Sequence, residues 1–243
     1  MNCSLTGLLT ENNESIESKQ LFSSYQASIA DFDVCFSNMF SLDYNLVFGD
    51  EPKNRFLYNL LKEYYHNDYF VRFSFINEVL RKSEAISFEE FPVGNSRVDL
   101  ASINGKSIAY EIKSEYDNYE RLEKQIDDYS KCFEYVYVIC PKSKIKHIKK
   151  HLPDYCGIYA YSGIHDIKFK VYKKALYSPN ISAEQMILSL RKADLKKAFS
   201  TNNTADIIKY FSPKTINSAF KSILKTRFKS EWVLLKEEAY LLN

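Results

Sequence analysis

The chain has 243 residues, 45% hydrophobic and 15% aromatic, which is enough for one substantial core and too apolar for a disordered protein. Its six glycines form no G-x-G-x-x-G and no G-x-x-x-x-G-K-[ST], which argues against a Rossmann dinucleotide site and a P-loop. The net charge of +2 hides a division: residues 1–141 carry 13 Lys and Arg against 23 Asp and Glu, residues 142–243 carry 20 against 8.

The basic half suits a polyanion such as nucleic acid, or else it is a solvated lysine-rich surface. No apolar run approaches the roughly 20 residues that span a bilayer. The start "MNCSLTGLLTENNESIESKQ" lacks the basic opening and apolar centre of a signal peptide. A cytoplasmic protein without a membrane partner is expected. Five scattered cysteines (Cys3, Cys35, Cys132, Cys140, Cys156) with no C-x-x-C read as reduced thiols.

In chain order, the first 18 residues are polar and read as frayed. Leu21 to Phe40 has loosely helical spacing. Asn54 to Tyr69 is a firmer helix with a stripe of Phe56, Leu57, Leu60, Leu61 and Tyr64, and Phe73 to Ser83 a shorter one. Residues 1–70 form an N-terminal helical extension on this reading. Ile86 to Val93 is a strand stopped by Pro92 and Gly94. "SRVDLASINGKSIAYEIKS" is a hairpin turning at Asn104-Gly105. Asp117 and Glu120 form a D-x-x-E cap that opens a helix with Leu122, Ile126, Tyr129 and Phe133 inward. "YVYVIC" is a buried strand, "KSKIKHIKKHL" a basic helix packing through Ile145, Ile148 and Leu152, and "CGIYAY" the last strand. This order predicts an α/β domain over residues 71–175 with a mixed sheet, its last two strands joined by a helical crossover.

Residues 176–243 read as a basic C-terminal helical region. A Ser182–Gln185 capping box begins it, Pro213 breaks it, and Trp232 falls in the core. The segment around Pro213 resembles a helix-turn-helix only faintly; a helical cap on the sheet is the simpler reading. His147 and His151 share a helix face among five lysines, where phosphate contact or solubility outweighs metal binding.

Asp99, Glu111 and Lys113 are the candidate chemistry. Alternation puts Glu111 and Lys113 on one face of a strand. Whether Asp99 joins them depends on the turn. A two-residue Asn104-Gly105 loop sets Asp99 opposite Tyr110 and on the other face. A three-residue loop Ile103-Asn104-Gly105, with Gly105 left-handed, sets it opposite Ala109 and on the shared face. The site therefore demands an odd-length loop or a bulge. Two carboxylates on adjacent strands can grip Mg²⁺ through hard oxygens, with the Ile112 carbonyl as a further ligand, and a lysine beside them can orient water or stabilise charge on a phosphate.

In these residues the sequence resembles the PD-(D/E)XK nuclease superfamily, with Val98-Asp99 in place of Pro-Asp and Glu111-Ile112-Lys113 as the E-x-K. More narrowly, it looks like poorly characterised bacterial and phage members with an E-(F/L), R-x-D, E-I-K-S, D, R-L, Q, Y pattern. Glu90-Phe91, Arg97, Asp99, Glu111 to Ser114, Asp117, Arg121-Leu122, Gln125 and Tyr129 match it here. The resemblance covers residues 86–161 and implies a restriction-endonuclease-like αβββαβ core. It implies Asp99 and Glu111 as metal ligands, Lys113 as the catalytic lysine, Mg²⁺ or Mn²⁺ as cofactor, and a further acid at Glu90 or at Glu78. Gln125, four residues from Arg121 on one helix face, falls where such proteins place a supporting polar residue.

The function expected is metal-dependent phosphodiester hydrolysis, on DNA rather than RNA, by a bacterial or phage protein. The alternatives are a nucleic-acid- or protein-binding module on a nuclease fold without turnover, and a helical interaction protein with the sheet as scaffold. The oligomeric state is open, a dimer included.

Overall fold

The computed structural model describes residues 14–50, 52–65, 67–163 and 167–241. Cys3 and most of the expected frayed start lie outside them.

The N-terminal helices are α1 (Glu14–Ala27), α2 (Ile29–Phe40), α3 (Tyr44–Phe48) and α4 (Lys53–Tyr64). Ser28 ends the first pairing by capping α2, its hydroxyl accepting from the Asp31 N–H at 3.0 Å. These helices share a small aromatic core of Phe32, Phe36, Tyr44 and Phe56. Phe22, Tyr58 and Leu61 instead join the core under the sheet, so the extension is docked rather than loose. Helix α5 (Asp68–Phe75) starts earlier than its apolar pattern suggests, capped by Asn67, and runs into a π turn over Ile76–Leu80.

The sheet has six strands in sequential order: β1 (Ile86–Val93), β2 (Ser96–Asn104), β3 (Lys106–Ile112), β4 (Tyr135–Pro141), β5 (Gly157–Ser162) and β6 (Lys168–Lys173). It is mixed, as expected: β3, β4 and β5 are parallel and the outer pairs antiparallel. Pro92 does not stop β1. It pairs with Arg97 inside the strand, tolerated because β1 is an edge that needs no N–H there. Strand β6 is additional to the expected set; its lysines mask a strand that lies at the far edge.

The parallel crossovers are α6 (Leu122–Cys132) and a basic segment of short turns around α7 (Ile145–Ile148), flanked by 3-10 turns at Lys142–Lys144 and Lys149–His151. Leu122, Ile126, Tyr129 and Phe133 are fully buried, as the stripe implies. The D-x-x-E cap is not the helix start. Asp117 instead closes the loop after β3, its Oδ2 accepting from the Ser114 N–H at 2.6 Å and hydroxyl at 2.7 Å, and α6 begins five residues later.

The C-terminal region holds α8 (Ala183–Leu188), α9 (Lys192–Phe199), α10 (Thr204–Tyr210) and α11 (Pro213–Leu241). Ser182 caps α8 as its box implies, and the helical region breaks between Leu188 and Lys192. Pro213 opens α11, where its missing N–H costs nothing. That helix packs Phe220 and Leu224 into the core on one face of the sheet and Trp232 into the core on the other. Among the described residues no helix is long and apolar enough to cross a membrane.

Candidate active site

The turn between β2 and β3 decides the site. Leu100 pairs with Tyr110, Ala101 with Ala109, Ile103 with Ser107 and Asn104 with Lys106. The connection is thus odd in length, with Gly105 alone between the paired Asn104 and Lys106 at φ +69°, a left-handed conformation that glycine adopts without a Cβ penalty. The parity that the site demands is met, but in a register two residues from the three-residue loop drawn above. Carried one step past Leu100 and Tyr110, it sets Asp99 opposite Glu111 itself. Distant groups hold this register. The Lys221 ammonium of α11 donates to the Gly105 carbonyl at 2.8 Å, and Glu134 accepts from the Ser107 N–H at 2.8 Å.

A second irregularity lies at the same level. The β1–β2 ladder pairs Glu89 with Leu100 and Phe91 with Val98, and skips Glu90 and Asp99 between them. Glu90 has φ +56°, a strain of order 1–3 kcal/mol for a residue with a Cβ. The kink lets Phe88 and Phe91, three apart, enter the same core, which a regular strand forbids. It also frees Asp99 from the ladder. Its Oδ2 turns back to accept the Ile112 N–H at 2.7 Å, the amide between Glu111 and Lys113. Ile112 thus meets Asp99 through its N–H, and the Lys113 N–H continues the parallel ladder to the Ile139 carbonyl at 2.9 Å.

Glu111 is 1% exposed and Lys113 9%. The Lys113 ammonium donates to Glu111 Oε1 at 2.8 Å and to Gln125 Oε1 at 3.3 Å. The Tyr129 hydroxyl meets Glu111 Oε2 at 2.7 Å and the Arg97 carbonyl at 2.6 Å. That phenol has one proton for two acceptors, so a protonated Glu111 would satisfy both. Burial pushes the Glu111 carboxyl upward against the pull of Lys113, Tyr129 and Gln125. Burial and the Glu111 charge push Asp99 up to about 8, against the Ile112 N–H, Arg72 and Lys113.

The expected acids and helix residues separate clearly. Glu90 is at the site and bound by two arginines: its Oε1 meets Arg72 Nη1 at 2.9 Å, its Oε2 meets Arg97 Nε at 2.5 Å. Glu78 lies on the π turn with its carboxylate on Lys82 at 3.1 Å. Arg121 and Gln125 share a face as expected and line, with Lys124, Arg97 and Asp99, a cavity of about 760 Å³. His147 and His151 pack on Tyr119, and His151 Nδ1 lies 3.1 Å from Glu123, so their face is occupied by neighbours.

One site residue escaped the sequence reading. Arg72 falls between the two expected helices, yet an arginine inside "YFVRFSF" was a usable signal, because a charge rarely enters an apolar run unpaired. Burial opposes its charge, and Asp99, Glu89, Glu90 and Asp68 more than restore it. Tyr129, which the sequence places both on the apolar stripe and in the matched pattern, carries its polar role through its hydroxyl.

Asp99 and Glu111 suit a hard divalent cation. A buried carboxylate and a half-buried one that repel each other are relieved by a cation, and their oxygens are the ligands Mg²⁺ and Mn²⁺ take. Among the described residues they stand as a pair, with no cluster of three His, Cys, Asp or Glu in ligating range.

Protein cII of Enterobacteria phage P4 is 25% identical over 160 residues, covering 62% of this chain and 61% of its own length. The chain therefore spans less than two thirds of that relative. A protein of unknown function from Silicibacter pomeroyi is similar in structure at 17% identity and a TM-score of 0.35, over 44% of this chain and 70% of that one. The family model for Bacteriophage P4 protein cII matches residues 59–239, from within α4 to near the end of α11. That span includes Arg72, Glu90, Asp99, Glu111, Lys113, Gln125 and Tyr129 and most of the chain, which belongs to the Bacteriophage P4 protein cII family.

Proposed function

We propose that this protein is a divalent-metal-dependent nuclease of the PD-(D/E)XK type, hydrolysing phosphodiester bonds in DNA. The observation that supports the reading most is the meeting of Asp99 with Glu111 and Lys113, through a turn whose parity could have kept them apart. Asp99 and Glu111 would hold the cation, which when bound supplies Lewis acidity to the phosphate and lowers the pKa of water. Tyr129 fixes one oxygen of Glu111 and Lys113 the other, so the carboxylate has one orientation. Gln125 steadies the Lys113 ammonium, which is the group available to stabilise charge on a phosphate oxygen or to orient water. Arg97, Arg121 and Lys124 in the cavity wall suit the phosphates on either side.

The test is cleavage of DNA in Mg²⁺ or Mn²⁺ by the wild type, Asp99→Ala and Lys113→Ala. Cleavage by the wild type with loss of at least about 100-fold in both variants is expected, the scale of losing a transition-state electrostatic contact. Equal cleavage by all three removes the site.

One observation favours a second reading, a binding module without turnover. Lys113 and Glu111 neutralise each other at 2.8 Å and Glu90 is bound by two arginines, so the charges are balanced without a cation. Nucleic-acid binding with no cleavage at any divalent metal would select it.

A further inference from the structure

We infer that Arg72 and Arg97 form a phosphate seat for a nucleic-acid backbone, which the Glu90 carboxylate fills as an internal stand-in until substrate displaces it. The inference deepens the nuclease reading and rests on it for its substrate class.

The geometry is that of anion recognition. Two guanidinium groups from different elements, α5 and the start of β2, converge on the two oxygens of one carboxylate at 2.9 and 2.5 Å. A phosphodiester presents two non-bridging oxygens to the same donors, and arginine is the side chain whose planar fork suits either anion. The seat has a floor and an open wall: the Arg72 side chain is 14% exposed, that of Arg97 69%. A chain of phosphates can thus reach Arg97 first and settle on Arg72. The Arg72 Nε–H is buried without an acceptor among the described residues, a donor that Glu90 leaves over.

The stand-in is held at a cost, because Glu90 has the left-handed φ of +56°. The surrounding cavity carries four cations, Arg72, Arg97, Arg121 and Lys124, against the carboxylates of Asp68, Asp99 and Glu90, so an arriving phosphate meets net attraction once Glu90 has left the arginines. Arg72 and Asp99 line the same cavity, so a phosphate seated on Arg72 lies near Asp99. Binding and release are then one event: the phosphate takes the arginines as Glu90 leaves them.

The decisive feature is an opposite sign. Binding of a fluorescently labelled oligonucleotide in EDTA, followed by anisotropy, should weaken roughly 10-fold in Arg97→Ala, with a salt slope smaller by about 1. In Glu90→Gln it should tighten about 3- to 10-fold, because the internal competitor has lost its charge. Glu115→Gln removes the same charge from the loop after β3 and should change binding by less than half as much. Inorganic phosphate as sole competitor separates sources. Displacement of oligonucleotide only at millimolar phosphate supports a backbone seat, while equal affinity for both overturns it in favour of a small-anion site. Unchanged or weaker binding in Glu90→Gln, or tightening equal to that of Glu115→Gln, overturns the stand-in. If Glu90→Gln fails to fold, Arg97→Ala alone decides, since an exposed side chain can be cut without loss of fold and an unchanged affinity there removes the seat. No arm reads cleavage, so an inactive protein would refute the nuclease reading and leave this one standing.

Discussion

At the β1–β3 end of the sheet, Glu111 and Lys113 are all but removed from water, Glu90 is strained, and two strand ladders break at Asp99. At the β6 end, Lys168, Lys170 and Lys173 lie on a strand exposed along most of its length. Both edges are charged, but for opposite reasons. Lysines on an edge strand keep their hydration and discourage another strand from adding there. Buried ions lose hydration worth several kcal/mol each and persist only with partners on hand. The difference teaches where to look for chemistry: not where charge is dense, but where the fold accepts a penalty to hold it.

The largest test of that contrast removes one lysine at each end. Lys113→Met leaves Glu111 buried without its cation, and should lose about 3–5 kcal/mol in urea unfolding at pH 8. Lys170→Met should change stability by no more than about 0.5 kcal/mol. Equal costs would break the comparison.

A pH scan comes next. Folded Asp99 keeps its proton to about pH 8, whereas the unfolded chain releases it near 3.8, so the folded state binds the extra proton between those values. The stability this group contributes is present at low pH and is lost as pH rises through that window. Thermal unfolding in EDTA should therefore show a falling melting temperature from pH 5 to pH 9 that Asp99→Asn flattens. A parallel fall in both proteins would place the titrating group elsewhere.

Tyr129→Phe should cost about 1–3 kcal/mol, because it removes the hydroxyl that links the Arg97 carbonyl to Glu111 Oε2 and leaves a buried oxygen unsatisfied. The smallest of the site effects is Gly105→Ala. An added Cβ meets nothing within 4 Å, so only the left-handed backbone resists, at about 1–2 kcal/mol by calorimetry. A loss as large as that of Lys113→Met would mean that the turn does more than set register.

What could be read in the sequence follows from the range of the forces. Strand alternation within β3 is local, so Glu111 and Lys113 share a face in both views. The stripe on α6 is local too, and Gln125 arrives at Lys113 because it sits one turn from Arg121 on the wet side of that stripe. The register of the hairpin was not local. It is held by Lys221, which lies 116 residues beyond Gly105, and by Glu134 at the head of β4. Nor could alternation reveal the kink at Glu90, where tertiary packing of Phe88 and Phe91 into one core overrides the pleat. Asp117 shows the converse: a capping pattern real enough to bond, but to the Ser114 loop instead of a helix end. Strand β6 stayed hidden because its three lysines and the exposed Val171 and Tyr172 leave Phe169 as its contact with the core, too little for the apolar pattern of a half-buried strand.

The central claim is that Asp99 and Glu111 together hold a divalent cation. Titration of Mn²⁺ into the protein by calorimetry at pH 7.5, beside Asp99→Asn and Glu78→Gln, tests it directly. The expected result is saturable binding in the wild type and in Glu78→Gln, weakened at least about 10-fold in Asp99→Asn, the scale on which loss of even a supporting group acts on a metal site. Binding by Asp99→Asn equal to the wild type, or binding lost in Glu78→Gln instead, would contradict it.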